Sequence, residues 1–502
     1  MVFKLKHFSL LLLASMLCFS LAAIAEERPT HRFDRAWLEN TAKELSEKEY
    51  IEKKIEEGSA LRQLNYDDYK KIQFERSATI WAKEDRNFRL IPLHPGFLFT
   101  TPVKLNLVVA GVSRRILYTT DIYQYDKELL PAKQTQSEGY SGFSVTTPIN
   151  TDTKWDEFLV FQGGTYFRSV GEGNWYGLSA RGLAINTAKP EGEEFPVFTD
   201  FWIQRPTTGS DKLVVHALMD SKSVTGAFTF TVTPGENTEI RVKSKLFPRR
   251  DIASFGLGAL TSMFLFDGLD STKFDDFRPA VHDSDGLFMI TNKNERIWRP
   301  LANPRRLQAS IFKDISPKGF GLLQRKRTFS KFEDMEANYE ARPSAWIEPV
   351  GDWGAGHVEL IEIPTNAEIH DNIVAFWQPE KTMKANEAYE FEYKIKWGNT
   401  VDAEKEDGRI TSSLAGLSLN SPDVREFVID YEGENIPNNL TIHASASAGK
   451  IVGTVGKFMQ KTGQYRVIVK FDADDEDLSE LRVSLSSNDK QWGETWLYKW
   501  TN

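Results

Sequence analysis

Two aspartates stand out for the residues around them. Asp283 lies in Arg278-Pro-Ala-Val-His-Asp-Ser-Asp-Gly286, a polar, turn-like loop. Asp371 lies in Glu368-Ile-His-Asp-Asn-Ile-Val-Ala-Phe-Trp377, where a loop enters a run apolar enough to be a buried strand. An acid at such an entrance loses part of its water, which raises its pKa and suits it to donate a proton. Hydrolysis of a glycosidic bond needs two carboxyls of unlike character. One protonates the leaving oxygen; the other activates water or attacks the sugar. Aspartate is also a common turn former, and the chain has 71 acidic residues, so composition alone does not select this pair.

Other chemistries lack their signatures. Gly177-Leu-Ser179-Ala-Arg181-Gly182 misses the Gly-x-Ser-x-Gly spacing of a nucleophile elbow. Gly171-Glu-Gly173-Asn-Trp-Tyr-Gly177 fails the dinucleotide-binding spacing and reads as turns. There is no P-loop and no His-Glu-x-x-His, and the histidines do not fall at ligand spacing, so neither a metal nor a cofactor is expected. The single cysteine, Cys18, lies near the N-terminus in a segment read below as a leader, which excludes thiol catalysis and disulfides from the mature chain. A formal net charge of −9 without a basic stripe argues against nucleic acid. Aromatic content is the positive clue: 13 Trp, 15 Tyr and 33 Phe. Most such rings fill cores. In a cleft they also stack on the C–H faces of sugars, which makes a glycan binder the leading ligand class.

The elements that must position these residues follow from hydrophobic pattern. Lys4 and Lys6, the apolar run Leu10 to Leu21 and Ala23-Ile24-Ala25 form a secretory signal peptide over 1–25, cleaved after Ala25. It is too short to serve well as a membrane span, and no later apolar run is long enough, so an exported, non-membrane-spanning protein is expected. In the Glu- and Lys-rich stretch 28–75, Trp37, Leu38, Ala42 and Leu45 recur at helical spacing, continued by Tyr50, Ile51 and Ile55. From about residue 85, short β-branched and aromatic runs alternate with Gly, Pro, Asn and Asp, which predicts an all-β sandwich. The polar, Gly-bounded stretch 399–409 is the expected linker between a large domain (26–398) and a C-terminal one (410–502) of immunoglobulin-like size.

Several motifs resemble the periplasmic glucan biosynthesis protein G/D family. They are Tyr176-Gly-Leu-Ser-Ala-Arg-Gly-Leu-Ala-Ile185, Gly192-Glu-Glu-Phe-Pro196, Leu260-Thr-Ser-Met-Phe-Leu-Phe266 and Ile297-Trp-Arg-Pro-Leu301. Gly319-Phe-Gly-Leu-Leu-Gln-Arg325, Arg342-Pro-Ser-Ala-Trp346 and Asp371-Asn-Ile-Val374 continue the series. The resemblance implies a large galactose-mutarotase-like β-sandwich joined to a small Ig-like one. It also implies a part in making osmoregulated periplasmic glucans, by inverting endo-hydrolysis of β-1,2-linked glucan. In that reading Asp371 is the general acid and Asp283 the general base. Tyr339 and Arg342 contact sugar, and Trp353 is a candidate stacking ring. No cofactor is needed, and an inner-membrane glucan synthase is a partner the family suggests. The alternative is a non-catalytic glucan-binding factor that aids release or branching. The hydrolytic reading requires Asp283 and Asp371 to face one cleft, with Asp371 expected to be the less solvated and free of an arginine ion pair.

Overall fold

The computed structural model describes residues 30–270, 273–401 and 404–502; the signal-peptide expectation lies outside them. The protein is all-β. A 15-stranded sheet runs from Thr30–Arg32 at one edge to Thr441–Ala446 at the other, and a 10-stranded sheet covers part of it. The strand Thr238–Pro248 shows why these sequences form a half-buried sheet. Ile240, Val242 and Leu246 face inward, whereas Glu239, Arg241, Lys243 and Lys245 alternate outward. Between the sheets a cluster of phenylalanines sits within a mainly aliphatic core. Phe143 and Phe161 of the smaller sheet meet Phe201 and Phe230 of the larger at centroid distances of 5.1 and 5.0 Å. These rings therefore fill the core, as most aromatics do.

The expected N-terminal helix spans Arg35–Ser46. Asp34 caps it by accepting the Trp37 N–H at 2.8 Å, and Leu38 and Ala42 are buried. It lies across the outer face of the large sheet, on Val224–Thr233 and Thr238–Pro248. The helical pattern does not continue through Ile51. Residues 49–56 carry no helix and Ile51 is 74 % exposed. The helix ends at Ser46, and Ile55 is buried instead in a separate cluster with Leu61 and Leu64.

The C-terminal strands join the large sheet directly. Arg296–Pro300 pairs in parallel with Lys490–Thr501, with Trp298 opposite Trp496. A separate four-stranded sheet, from Arg409–Ser418 to Lys450–Met459, packs over this extension. Its core joins Phe427, Ile429 and Tyr431 to Phe288, Trp298 and Trp346. Between the two parts Arg325 stacks on Trp298 at 3.6 Å and donates to Glu404 and Glu494 at 2.8 Å each. In the polar stretch 399–409, Val401 and Glu404 are both buried. Among the described residues no helix is long and apolar enough to cross a membrane.

Candidate active site

The short segment Ser262, Met263 and Phe264 fixes both aspartates. On one side, Met263 accepts the backbone N–H of Asp283 at 2.9 Å. On the other, Ser262 accepts the backbone N–H of Asn372 at 3.1 Å, the residue after Asp371. The buried Asn372 amide then clasps Phe264: its Oδ1 accepts the Phe264 N–H at 2.8 Å and its Nδ2 donates to the Phe264 carbonyl at 2.9 Å. Two chain segments almost ninety residues apart are thus hung from three consecutive residues, which brings Asp283 and Asp371 close enough to influence each other's charge.

Their surroundings are unlike, in the opposite sense to the expectation. The Asp371 side chain keeps 39 % of its surface, while that of Asp283 keeps 5 %. Asp371 sits at the outer end of its loop, and it is Asn372 that dives under the sheet edge. Burial pushes the Asp283 carboxyl up to about 6; the Arg342 guanidinium opposes this and the facing Asp371 carboxylate adds to it. Arg342 donates to Asp283 Oδ1 at 2.5 Å. Asp371 has only a long approach to Arg168, at 3.9 Å, and is not locked in an ion pair.

The remaining expected residues divide. Arg342 is at the site, but its guanidinium is committed: besides Asp283 it donates to the Ala337 carbonyl from Nε and Nη2, at 3.2 and 3.1 Å. Tyr339 lies beneath it, ring centroid 4.6 Å from the guanidinium, and its hydroxyl donates to Glu368 Oε2 at 2.9 Å. At 2 % exposure the Tyr339 ring packs under Arg342, and its hydroxyl is engaged by Glu368. Trp353 departs from its expected role as a stacking ring. It is 6 % exposed, packs in the main core and donates its indole N–H to the Glu392 carbonyl at 3.2 Å, so it is not a stacking platform.

Sequence reasoning missed three residues. Arg168 reaches toward Asp371 from the strand Tyr166–Ser169 while its Nε donates to Ser179 Oγ at 2.6 Å. Glu368, three residues before Asp371, accepts from both Tyr339 and Arg278. Arg278 in turn donates to Asp276 and, at 2.6 Å, to Asp334. Glu368 and Arg278 stood in the two quoted loops, but only the fold shows that they meet.

Directly behind Asp283, Asp267, His282 and Asp285 converge closely enough to hold a cation. That role is filled by the chain itself: Lys326 Nζ pairs with Asp267 and with Asp285 Oδ1, the latter at 3.1 Å. His282 is fully buried, stacked on Phe264, and its burial lowers its pKa. A metal would have to displace a buried ammonium, so the group reads as structural.

The class is thus an all-β protein in which a buried aspartate, Asp283, and an exposed one, Asp371, are carried by segments hung from one stretch of chain. The chain matches the family "Periplasmic glucan biosynthesis protein, MdoG" over residues 33–500 and belongs to it. It is 45% identical to glucans biosynthesis protein G of Shewanella frigidimarina, over 94% of this chain and 85% of that one. It is 43% identical to glucans biosynthesis protein G 1 of Shewanella oneidensis (94% and 88%) and 42% identical to glucans biosynthesis protein G of Vibrio cholerae (94% and 87%). Membership assigns the protein to periplasmic glucan biosynthesis.

Proposed function

We propose that the protein trims a β-1,2-linked glucan by inverting hydrolysis at Asp371 and Asp283. One observation supports the reading, two carboxyls of unlike environment hung from one segment, Ser262 to Phe264; the assignment of acid and base follows the motif resemblance, because burial alone favours Asp283 as the proton donor. Asp371, open to the sheet face, gives its proton to the glycosidic oxygen as the C1–O bond breaks. Asp283 takes a proton from the attacking water, directly or through a water or sugar hydroxyl, as the new C1–O bond forms on the opposite face. Asp371 is left ionised and Asp283 protonated, and exchange with solvent resets both. A carboxyl near 6 suits the base: ionised at neutral pH, yet more basic than an ordinary aspartate.

The second reading is a glucan-binding factor without turnover. It is favoured by the Arg342 clamp, which already occupies one oxygen of Asp283. Linear β-1,2-glucan with the mature protein, Asp371→Asn and Asp283→Asn separates the two. New reducing ends with the α-anomer first, absent in both variants, support hydrolysis. Binding without release above the variants selects the binding factor.

A further inference from the structure

A polymer held across Asp283 and Asp371 must continue beyond them, and the sheet face beside Asp371 offers a marked path. In Tyr166–Ser169, Phe167 points into the core while Tyr166 and Arg168 point outward. The neighbouring strand Ser179–Arg181 pairs in register, Arg181 opposite Tyr166 and Ala180 opposite Phe167. Ala180 is in the core, so Ser179 and Arg181 point to the same side as Tyr166 and Arg168, where both are covered: Ser179 and Arg181 are buried. The Arg181 guanidinium lies 4.9 Å from the Tyr166 ring and 5.8 Å from that of Phe195. It is held by Thr261 at 2.8 Å and Glu193 at 2.5 Å, so its plane is fixed. Phe195 then stands 55 % exposed at the wall of a cavity of about 910 Å³.

A large apolar ring left half in water at a pocket mouth, beside fixed polar groups, has the composition of a sugar subsite. The cavity also presents Asn186 and Arg250, which offer hydrogen bonds to hydroxyls. Its walls carry both charge signs, including Glu193, Glu194 and Lys189, which suits a neutral polyol better than an ion. Asp371, Arg168, Tyr166 and Phe195 are the solvent-facing members of this row; the buried Arg181 guanidinium lies beneath it and joins the Tyr166 and Phe195 rings.

We propose that the pocket beside Phe195 is a distal subsite for the same glucan chain, several sugar units from the acid pair. This rests on the glucan reading above. The distal subsite would make the protein favour long chains over short ones, because only a chain spanning both sites gains the second contact.

Calorimetric titration of Asp371→Asn protein with a short and a long β-1,2-linked oligosaccharide tests this without turnover. Phe195 is exposed, so Phe195→Ala in that background should fold unchanged. The long chain is expected to lose about tenfold in affinity, the scale of one aromatic contact, with the short chain unaffected and Phe195→Trp restoring the loss. If the parent prefers the long chain and Phe195→Ala keeps that preference intact, the distal site is wrong and the glucan reading survives. If the parent binds neither length, the glucan reading falls and the distal site falls with it.

Discussion

Asp283 and Asp285 are two residues apart, both buried, and pulled in opposite directions. Burial opposes ionisation in each. For Asp285 it is overcome: Lys326 lies against it, His282 stands 3.3 Å away, and the backbone N–H groups of Arg325 and Lys326 both donate to its Oδ2. Its pKa is accordingly held below the usual carboxylate range. Asp283 has one partner, Arg342, shared with the Ala337 carbonyl, and faces a second carboxylate across the site. The difference separates a carboxylate built to stay charged from one poised to exchange a proton. In the proposed mechanism, the chemistry at this corner depends on how few donors Asp283 receives.

Substitution should break the pair along that line. Asp285→Asn leaves the Lys326 ammonium and two N–H groups facing an amide, and removing one member of a buried ion pair costs about 3–5 kcal/mol. Chemical denaturation should show that loss. In Asp283→Asn stability should stay within about 1 kcal/mol of the parent, because the lost charge was already disfavoured by burial. Its loss should appear in reducing-end release instead, by a factor of roughly 10²–10⁴ for a missing general base. Equal destabilisation in both variants would sink the distinction.

Acidity sharpens the same contrast. The folded Asp283 carboxyl is raised from 3.8 to about 6, so the fold favours its neutral form. That contribution is whole below about pH 3.8 and is lost as pH rises through 6, amounting to on the order of 3 kcal/mol. Asp285, lowered in the fold, contributes stability that is present above the ordinary aspartate value of 3.8 and lost as pH falls below it. Under the proposed mechanism Asp283 must be ionised to act as base, so kcat/KM on glucan should fall about tenfold per unit below pH 6. Arg342 holds that value down; Arg342→Met should therefore move the limb to higher pH. A limb that stays in place would mean that it reports another group.

Much of the architecture was legible because strand patterning is local. The alternation in Thr238–Pro248 and the capped stripe of Arg35–Ser46 are written in adjacent residues. What was hidden depends on partners distant in sequence. No local pattern announces that Arg296–Pro300 pairs with Lys490–Thr501. Asp371 was named correctly as a loop residue at a strand entrance, but which side of that entrance is dry was decided by Asn372 and its clasp on Phe264. Trp353 entered only as a candidate stacking ring in the motif Gly-Asp-Trp-Gly, and its ring instead packs against Tyr393 at 6.1 Å.

The smallest effect expected concerns Arg278, which links the two acids without touching either. Through Glu368, at 2.9 Å, it holds the loop carrying Asp371. Through Asp334, at 2.6 Å, it braces the turn in which Asp334 accepts the Ala337 N–H; the Ala337 carbonyl in turn fixes Arg342 against Asp283. Each of the three joined loops ends in an exposed apolar side chain, Phe277, Met335 and Ile369, each more than four-fifths exposed. Those tips gain nothing from water, so the charges at Arg278 hold the loops together. Arg278→Met should therefore loosen both acids at once: about a tenfold fall in kcat, the scale of a misplaced catalytic group, with binding of short oligosaccharides retained. A purely structural role predicts lower stability with an unmoved pH limb. A positioning role predicts that the Asp283 limb moves upward as Arg342 slackens, and Arg278→Lys, which keeps one charge but not the fork that grips three carboxylates, should fall between the two.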